Sequence, residues 1–164
     1  MFLEDNYEDL EFWYPCLRFQ EEGAEVTVVA PELKSYTSKH EYPAQADLKV
    51  DEANPQDFDA VIVPGGYAPD KMRRYPEMIN FLKNLFGQGK VVAAICHGPW
   101  MLVSAGVLQG RKATCFYAIK DDIINAGAEY LEQPVVRDGR IITSRIPSDL
   151  PLFCREIITA LLEN

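Results

Sequence analysis

The sequence predicts an α/β fold in which a mostly parallel sheet carries helices on both faces. Three observations predict it. Two short runs, Ala60-Val61-Ile62-Val63 and Val91-Val92-Ala93-Ala94-Ile95, are apolar without alternation, as strands buried on both sides are. Between them, Met78, Ile79, Leu82, Leu85 and Phe86 recur at helical spacing through Tyr75 to Phe86, with Gly87 and Gly89 to close the helix. Each apolar run then stops at residues that bend a chain sharply, Pro64-Gly65-Gly66 and Cys96-His97-Gly98. That edge, at the carboxyl ends of the strands, is where such sheets bind ligands.

The remaining elements follow in order. Only Met1-Phe2-Leu3 precede an acidic turn, so the opening strand is expected to be short. From Tyr7 to Glu22, Leu10, Trp13, Tyr14 and Leu17 fall three or four apart and Gly23 follows as a stop; Pro15 lies inside this helix and should kink it or begin a new turn. Glu25 to Ala30 is β-branched, ends at Pro31 and reads as a buried strand. The polar stretch Tyr36 to Ala53 predicts a hairpin or edge strands. Further helices are predicted at Pro99 to Ala105, Asp121 to Ala126 and Ser148 to Leu162. Between the last two, Pro134 to Thr143 is a hairpin turning at Asp138-Gly139. No repeat or linker divides the 164 residues, which read as a single domain spanning 1–164.

Charge and cysteine content narrow the function. A net charge of −9 argues against nucleic acid, whose binders gain affinity by neutralising phosphates with Lys and Arg. No apolar run approaches the roughly 20 residues that cross a bilayer. Cys16, Cys96, Cys115 and Cys154 are too scattered for a zinc site or a disulfide framework, so free thiols, a cytoplasmic location and no metal or cofactor are expected.

Of the four thiols, Cys96 is the one placed for chemistry. A strand that turns at once into a helix leaves its turn residue projecting above the sheet, and small neighbours let the backbone bend. Pro99 suits the first helical turn. A helix N-terminus lowers the pKa of a nearby thiol, so Cys96 is expected to be largely thiolate near neutrality. The adjacent His97 is a candidate general base or thiolate-stabilising imidazolium. Gly65-Gly66 offers backbone N–H groups to an oxyanion, Gly66 foremost. One glutamate of the cluster Glu4 to Glu11 is expected to reach the sulfur as a buried, protonated acid. His40, between Lys39 and Glu41, reads as a solvated loop residue.

Taken together, Tyr7-Glu8-Asp9-Leu10-Glu11 with Pro15, Val63-Pro64-Gly65-Gly66 with Ala68-Pro69-Asp70, Ile95-Cys96-His97-Gly98-Pro99, Ser104 to Leu108, Ile119-Lys120-Asp121-Asp122 and Ser144-Arg145-Ile146-Pro147 resemble the ThiJ/PfpI superfamily, in particular its PfpI-type intracellular proteases, relatives of the Parkinson-associated protein deglycase. The resemblance implies a flavodoxin-like three-layer α/β/α sandwich of the class I glutamine amidotransferase kind. It implies Cys96 as nucleophile and Glu11 as the acid beside it, with Glu8 lining the same cleft. It also implies that Asp70, one methylene shorter than the usual Glu, reaches His97 from a neighbouring subunit. The protein is then expected to be a homo-oligomer, a dimer or a dimer-built hexamer, with a shared site. Phe116 replaces a site tyrosine. The activity implied first is a cysteine peptidase or amidase; the alternatives are a cofactor-independent glyoxalase or protein deglycase acting on methylglyoxal or its adducts, and a redox-sensing stress protein or chaperone.

Overall fold

The computed structural model describes residues 1–163. Helix α1 (Asp9–Glu21) is continuous across Pro15. Strand β1 (Val29–Ala30) is followed by an antiparallel hairpin of β2 (Ser35–Thr37) and β3 (Pro43–Gln45), and then by β4 (Leu48–Lys49), which pairs parallel to β1. Next come β5 (Ala60–Val63), α2 (Ala68–Met72), α3 (Pro76–Gly87), β6 (Val91–Ile95) and α4 (Pro99–Ala105). The chain continues through β7 (Lys112–Ala113), α5 (Lys120–Asn125), β8 (Glu129–Tyr130), β9 (Val135–Asp138), β10 (Ile141–Ser144) and α6 (Leu150–Leu162).

The central sheet runs β5-β6-β10-β9; β5, β6 and β10 are parallel and β9 is an antiparallel edge strand. Met1–Leu3 joins this sheet to β1 and β4. The Phe2 N–H donates to Ile62 O at 3.0 Å and the Leu3 N–H to Val29 O at 3.0 Å. All five residues of β6 are buried, which explains their lack of alternation: neither face meets water. Helices α1 and α6 pack on one another, with α6 also against β6, β9 and β10, while α3 packs on β5, β6 and α4. The two groups make the outer layers of a sandwich. No described helix is long and apolar enough to cross a membrane.

Besides the parallel pair β7–β8, for which the sequence reading has no strands, two features depart from it. The strand expected over Glu25 to Ala30 shrinks to Val29–Ala30, because strand geometry needs a neighbour. Val29 exchanges hydrogen bonds with Met1 and Leu3, whereas Glu25 and Val26 flank a cavity of about 710 Å³ with Asp57 to Ala60 on its far side. That cavity lies at the amino ends of the strands, the end of the sheet opposite Cys96. The second departure is α2, whose start after Gly66-Tyr67 is marked only by Pro69 at its first turn.

Candidate functional site

The carboxyl ends of β5 and β6 meet α1 at one point, and three backbone peculiarities make the meeting possible. Cys96 has φ +63°, a left-handed conformation that costs a residue with a Cβ roughly 1–3 kcal/mol. The surroundings hold it there: its N–H donates to Ser144 O at 3.0 Å, extending the β6–β10 ladder, and its carbonyl accepts from the Phe116 N–H at 2.9 Å. Gly98 must lack a side chain, since a Cβ there would stand 2.6 Å from Val63 O. So must Gly65, whose Cβ would fall 2.5 Å from Glu11 Oε2 and 2.7 Å from the Cys96 Cβ. The glycines thus let an acid, a thiol and a strand end converge.

Around the Cys96 sulfur the structure assembles four groups. His97 Nδ1 lies 3.3 Å from Sγ. The backbone N–H groups of Gly66 and His97 point at the sulfur and favour its charged form. Glu11 is fully buried; its Oε2 accepts from the Gly65 N–H at 2.8 Å. Its Oε1 is buried with no hydrogen-bond partner among the described residues, and the carboxyl and the Cys96 thiol influence each other's protonation. Burial, then the nearby charge of Glu8, pushes the Glu11 carboxyl up to about 8, so it carries a proton at neutrality.

The expectation of a resting thiolate is corrected. Burial, then the neighbouring Glu11, pushes the Cys96 thiol up, not down. Cys96 precedes the N-cap Gly98 by two residues, and α4 has only seven residues, so the dipole is small against the cost of desolvating a charge. His97 moves the other way: burial, helped by the positive charge of Lys39, holds its pKa below the ordinary value, leaving a neutral imidazole at pH 7. The pair at rest is therefore a thiol beside a base. The imidazole is fixed between two rings, Trp100 at 5.2 Å and Phe116 at 5.1 Å between centroids.

The other residues singled out in the sequence are placed as follows. Glu8 is the N-cap of α1: its Oε2 accepts from the Glu11 N–H at 2.9 Å, which orients the turn carrying Glu11. Asp70, half-exposed on α2, pairs with Arg74 one turn on, and no hydrogen bond or ion pair joins it to His97 among the described residues. His40 is an exposed loop residue paired with Asp9 at 2.7 Å. Cys16, Cys115 and Cys154 are buried and unpaired in disulfides, and burial pushes them to about 11, 12 and 12. Lys39 and Trp100 were not singled out. Trp100 could have been, standing three residues after His97 on the same helical face; Lys39 could not, because its polar hairpin looks solvated.

This arrangement is that of an α/β protein with a cysteine at a strand-to-helix bend, an imidazole beside its sulfur and a buried carboxyl next to both. The profile of the DJ-1/PfpI family matches residues 1–160, and the chain belongs to that family. It is 46% identical over 162 residues to Deglycase PfpI of Pyrococcus furiosus, covering 98% of both chains. It is 40% identical over 162 residues to Protein/nucleic acid deglycase 2 of Escherichia coli, covering 97% of this chain and 94% of that one. Among solved structures, a two-domain protein of Anabaena variabilis containing DJ-1/ThiJ/PfpI-like and ferritin-like domains superposes with a TM-score of 0.96 at 44% identity; the match covers 98% of this chain and 46% of that one, about half its length.

Proposed function

We propose that the protein is a cytoplasmic, cofactor-independent deglycase that converts methylglyoxal adducts to lactate on Cys96. The observation that carries this reading is the placement of one sulfur between a neutral imidazole at 3.3 Å and a protonated carboxyl. Sγ displaces the amine or thiol carrier from the adduct's former aldehyde carbon: the Cys96 S–C bond forms as the carrier's C–N or C–S bond breaks, and His97 takes the thiol proton. His97 passes that proton to the departing carrier and is neutral again. It then removes the C–H proton of the Cys96 hemithioacetal, while the Glu11 O–H and the Gly66 N–H stabilise the enediolate oxygen. Return of that proton to the neighbouring carbon leaves a thioester, which water hydrolyses to lactate and free thiol. The aldehyde carbon is oxidised by the same two electrons that reduce the ketone carbon, so no external oxidant enters.

The relatives' names favour this alternative over the peptidase or amidase that the resemblance implied first. The chemistry agrees with them. Amide hydrolysis must protonate a poor leaving group from a well-oriented imidazole, and within one chain Asp70 is held by Arg74 instead of orienting His97. A carbonyl adduct asks less. The charge of −9 suits free or protein-borne adducts better than polyanions.

Asp70 of a neighbouring copy is the remaining candidate partner of His97, in a dimer or hexamer whose sites span two chains. The exposed stripe Leu10, Tyr14 and Leu17 on α1 supports self-association. The test of the function is purified protein given the methylglyoxal hemithioacetal of N-acetylcysteine and, in parallel, fluorogenic peptides. Lactate release without comparable peptide cleavage is expected; Cys96-dependent cleavage with no lactate would overturn it. A monomer with full activity, unaffected by Asp70→Asn, would remove the shared site.

A further inference from the structure

We propose that Lys39 is the specificity residue of this site, anchoring a carboxylate on the carrier half of the adduct. The inference rests on the deglycase reading and names which adducts that site prefers.

The first ground is backbone geometry. The Lys39 N–H donates to Tyr7 O at 3.0 Å, and Tyr7 forms an antiparallel bridge with Gly66. Two strand spacings, about 10 Å, therefore separate the Lys39 backbone from the Gly66 loop that faces the sulfur. A lysine arm spans much of that distance. The hairpin tip is clamped where this matters: Ser38 Oγ donates to Asp9 Oδ1 at 2.7 Å, and the Tyr7 hydroxyl donates to Tyr42 O at 2.6 Å. Lys39 is thus presented by a tied loop.

The second ground is the charge itself. Among the described residues, Lys39 Nζ donates no hydrogen bond; its ion-pair partner is Glu8 Oε1 at 3.7 Å, beyond hydrogen-bond range. Glu8 cannot follow the ammonium, because its other oxygen caps α1 at 2.9 Å. Meanwhile the charge of Lys39 acts on both Glu11 and His97, so its field enters the reacting region. A part-exposed ammonium that donates no hydrogen bond within the described chain, on a backbone two strand spacings from the Gly66 loop and beside a Glu8 tied up in capping α1, is complemented by an anion. Methylglyoxal itself carries none. The anion must come from the carrier, as in an adduct of a free amino acid or of a small thiol bearing a carboxylate a few bonds from the reacting carbon.

The experiment compares the methylglyoxal hemithioacetals of N-acetylcysteine and N-acetylcysteine amide, which differ only in that carboxylate, on wild type, Lys39→Met and Lys39→Arg. Wild type should favour the carboxylate roughly tenfold in kcat/KM, mainly through KM, with the preference shrinking as salt is added. Lys39→Met should equalise the two substrates and Lys39→Arg should keep most of the preference. Equal use of both substrates by wild type, or a preference that survives Lys39→Met, overturns the proposal. Release of no lactate from either substrate instead defeats the deglycase reading, and this inference with it.

Discussion

Cys96→Ala is expected to abolish lactate release from methylglyoxal adducts, with a loss of at least about 10³-fold, because in the proposed reaction no other group of the site can form the thioester. The variant folds normally. Alanine keeps the Cβ, so the left-handed bend at φ +63° and its two backbone hydrogen bonds to Ser144 and Phe116 are retained. Circular dichroism and thermal unfolding should match the wild type within the roughly 0.5–1 kcal/mol that a small buried thiol contributes. Residual lactate at more than a few per cent of the wild-type rate would place the chemistry elsewhere. The other three thiols are poor substitutes, each buried and pushed up by that burial.

Glu11→Gln separates stability from activity. The carboxyl is raised from 4.5 to about 8 in the folded protein, mainly by burial. Between those values the unfolded chain has lost the proton that the native chain keeps, so wild-type stability falls as pH rises through this window. The contribution is intact below about pH 4.5 and is lost progressively toward pH 8, by on the order of 3–5 kcal/mol. Glutamine has the same shape and no charge to lose. Its carbonyl can accept from the Gly65 N–H as the Glu11 Oε2 does, and its amide can take the place of the other carboxyl oxygen. Chemical denaturation at pH 5 and pH 8 should show the variant gaining on the wild type by that amount; a constant difference would mean that Glu11 is not protonated in the native state. Activity should fall about 10²–10³-fold, since an amide N–H is a much weaker hydrogen-bond donor to the enediolate oxygen than a carboxylic acid.

Residues whose environment is set by their neighbours in sequence were the legible ones. The run of five buried residues in β6 leads directly into Cys96, and the helix expected from Pro99 to Ala105 has those bounds. The Asp138-Gly139 turn joins β9 to β10. What was not legible depends on distant partners. Glu25 to Val28 has strand composition, but pairing is decided by what lies alongside. Lys39 gains its place only through Tyr7 and Gly66, which are remote in sequence. The ionisation of Cys96 is hidden for a related reason: helix position is local and visible in sequence, whereas the burial that outweighs it comes with the closing of the fold, and the charge of Glu11 adds to it from a remote part of the chain. Gly65 shows both sides at once. Its residue type marks a turn, and only the structure shows that the space saved is filled by Glu11 Oε2.

The account depends on one sulfur being reactive because an imidazole beside it can take its proton. The direct measurement is alkylation of the native protein by iodoacetamide at pH 7, read by peptide mapping for all four cysteines, in wild type and in His97→Gln. Cys96 should be labelled well ahead of Cys16, Cys115 and Cys154, and at least about tenfold more slowly once His97 is replaced. Labelling of Cys96 no faster than of the other three, or at a rate indifferent to His97, would contradict it.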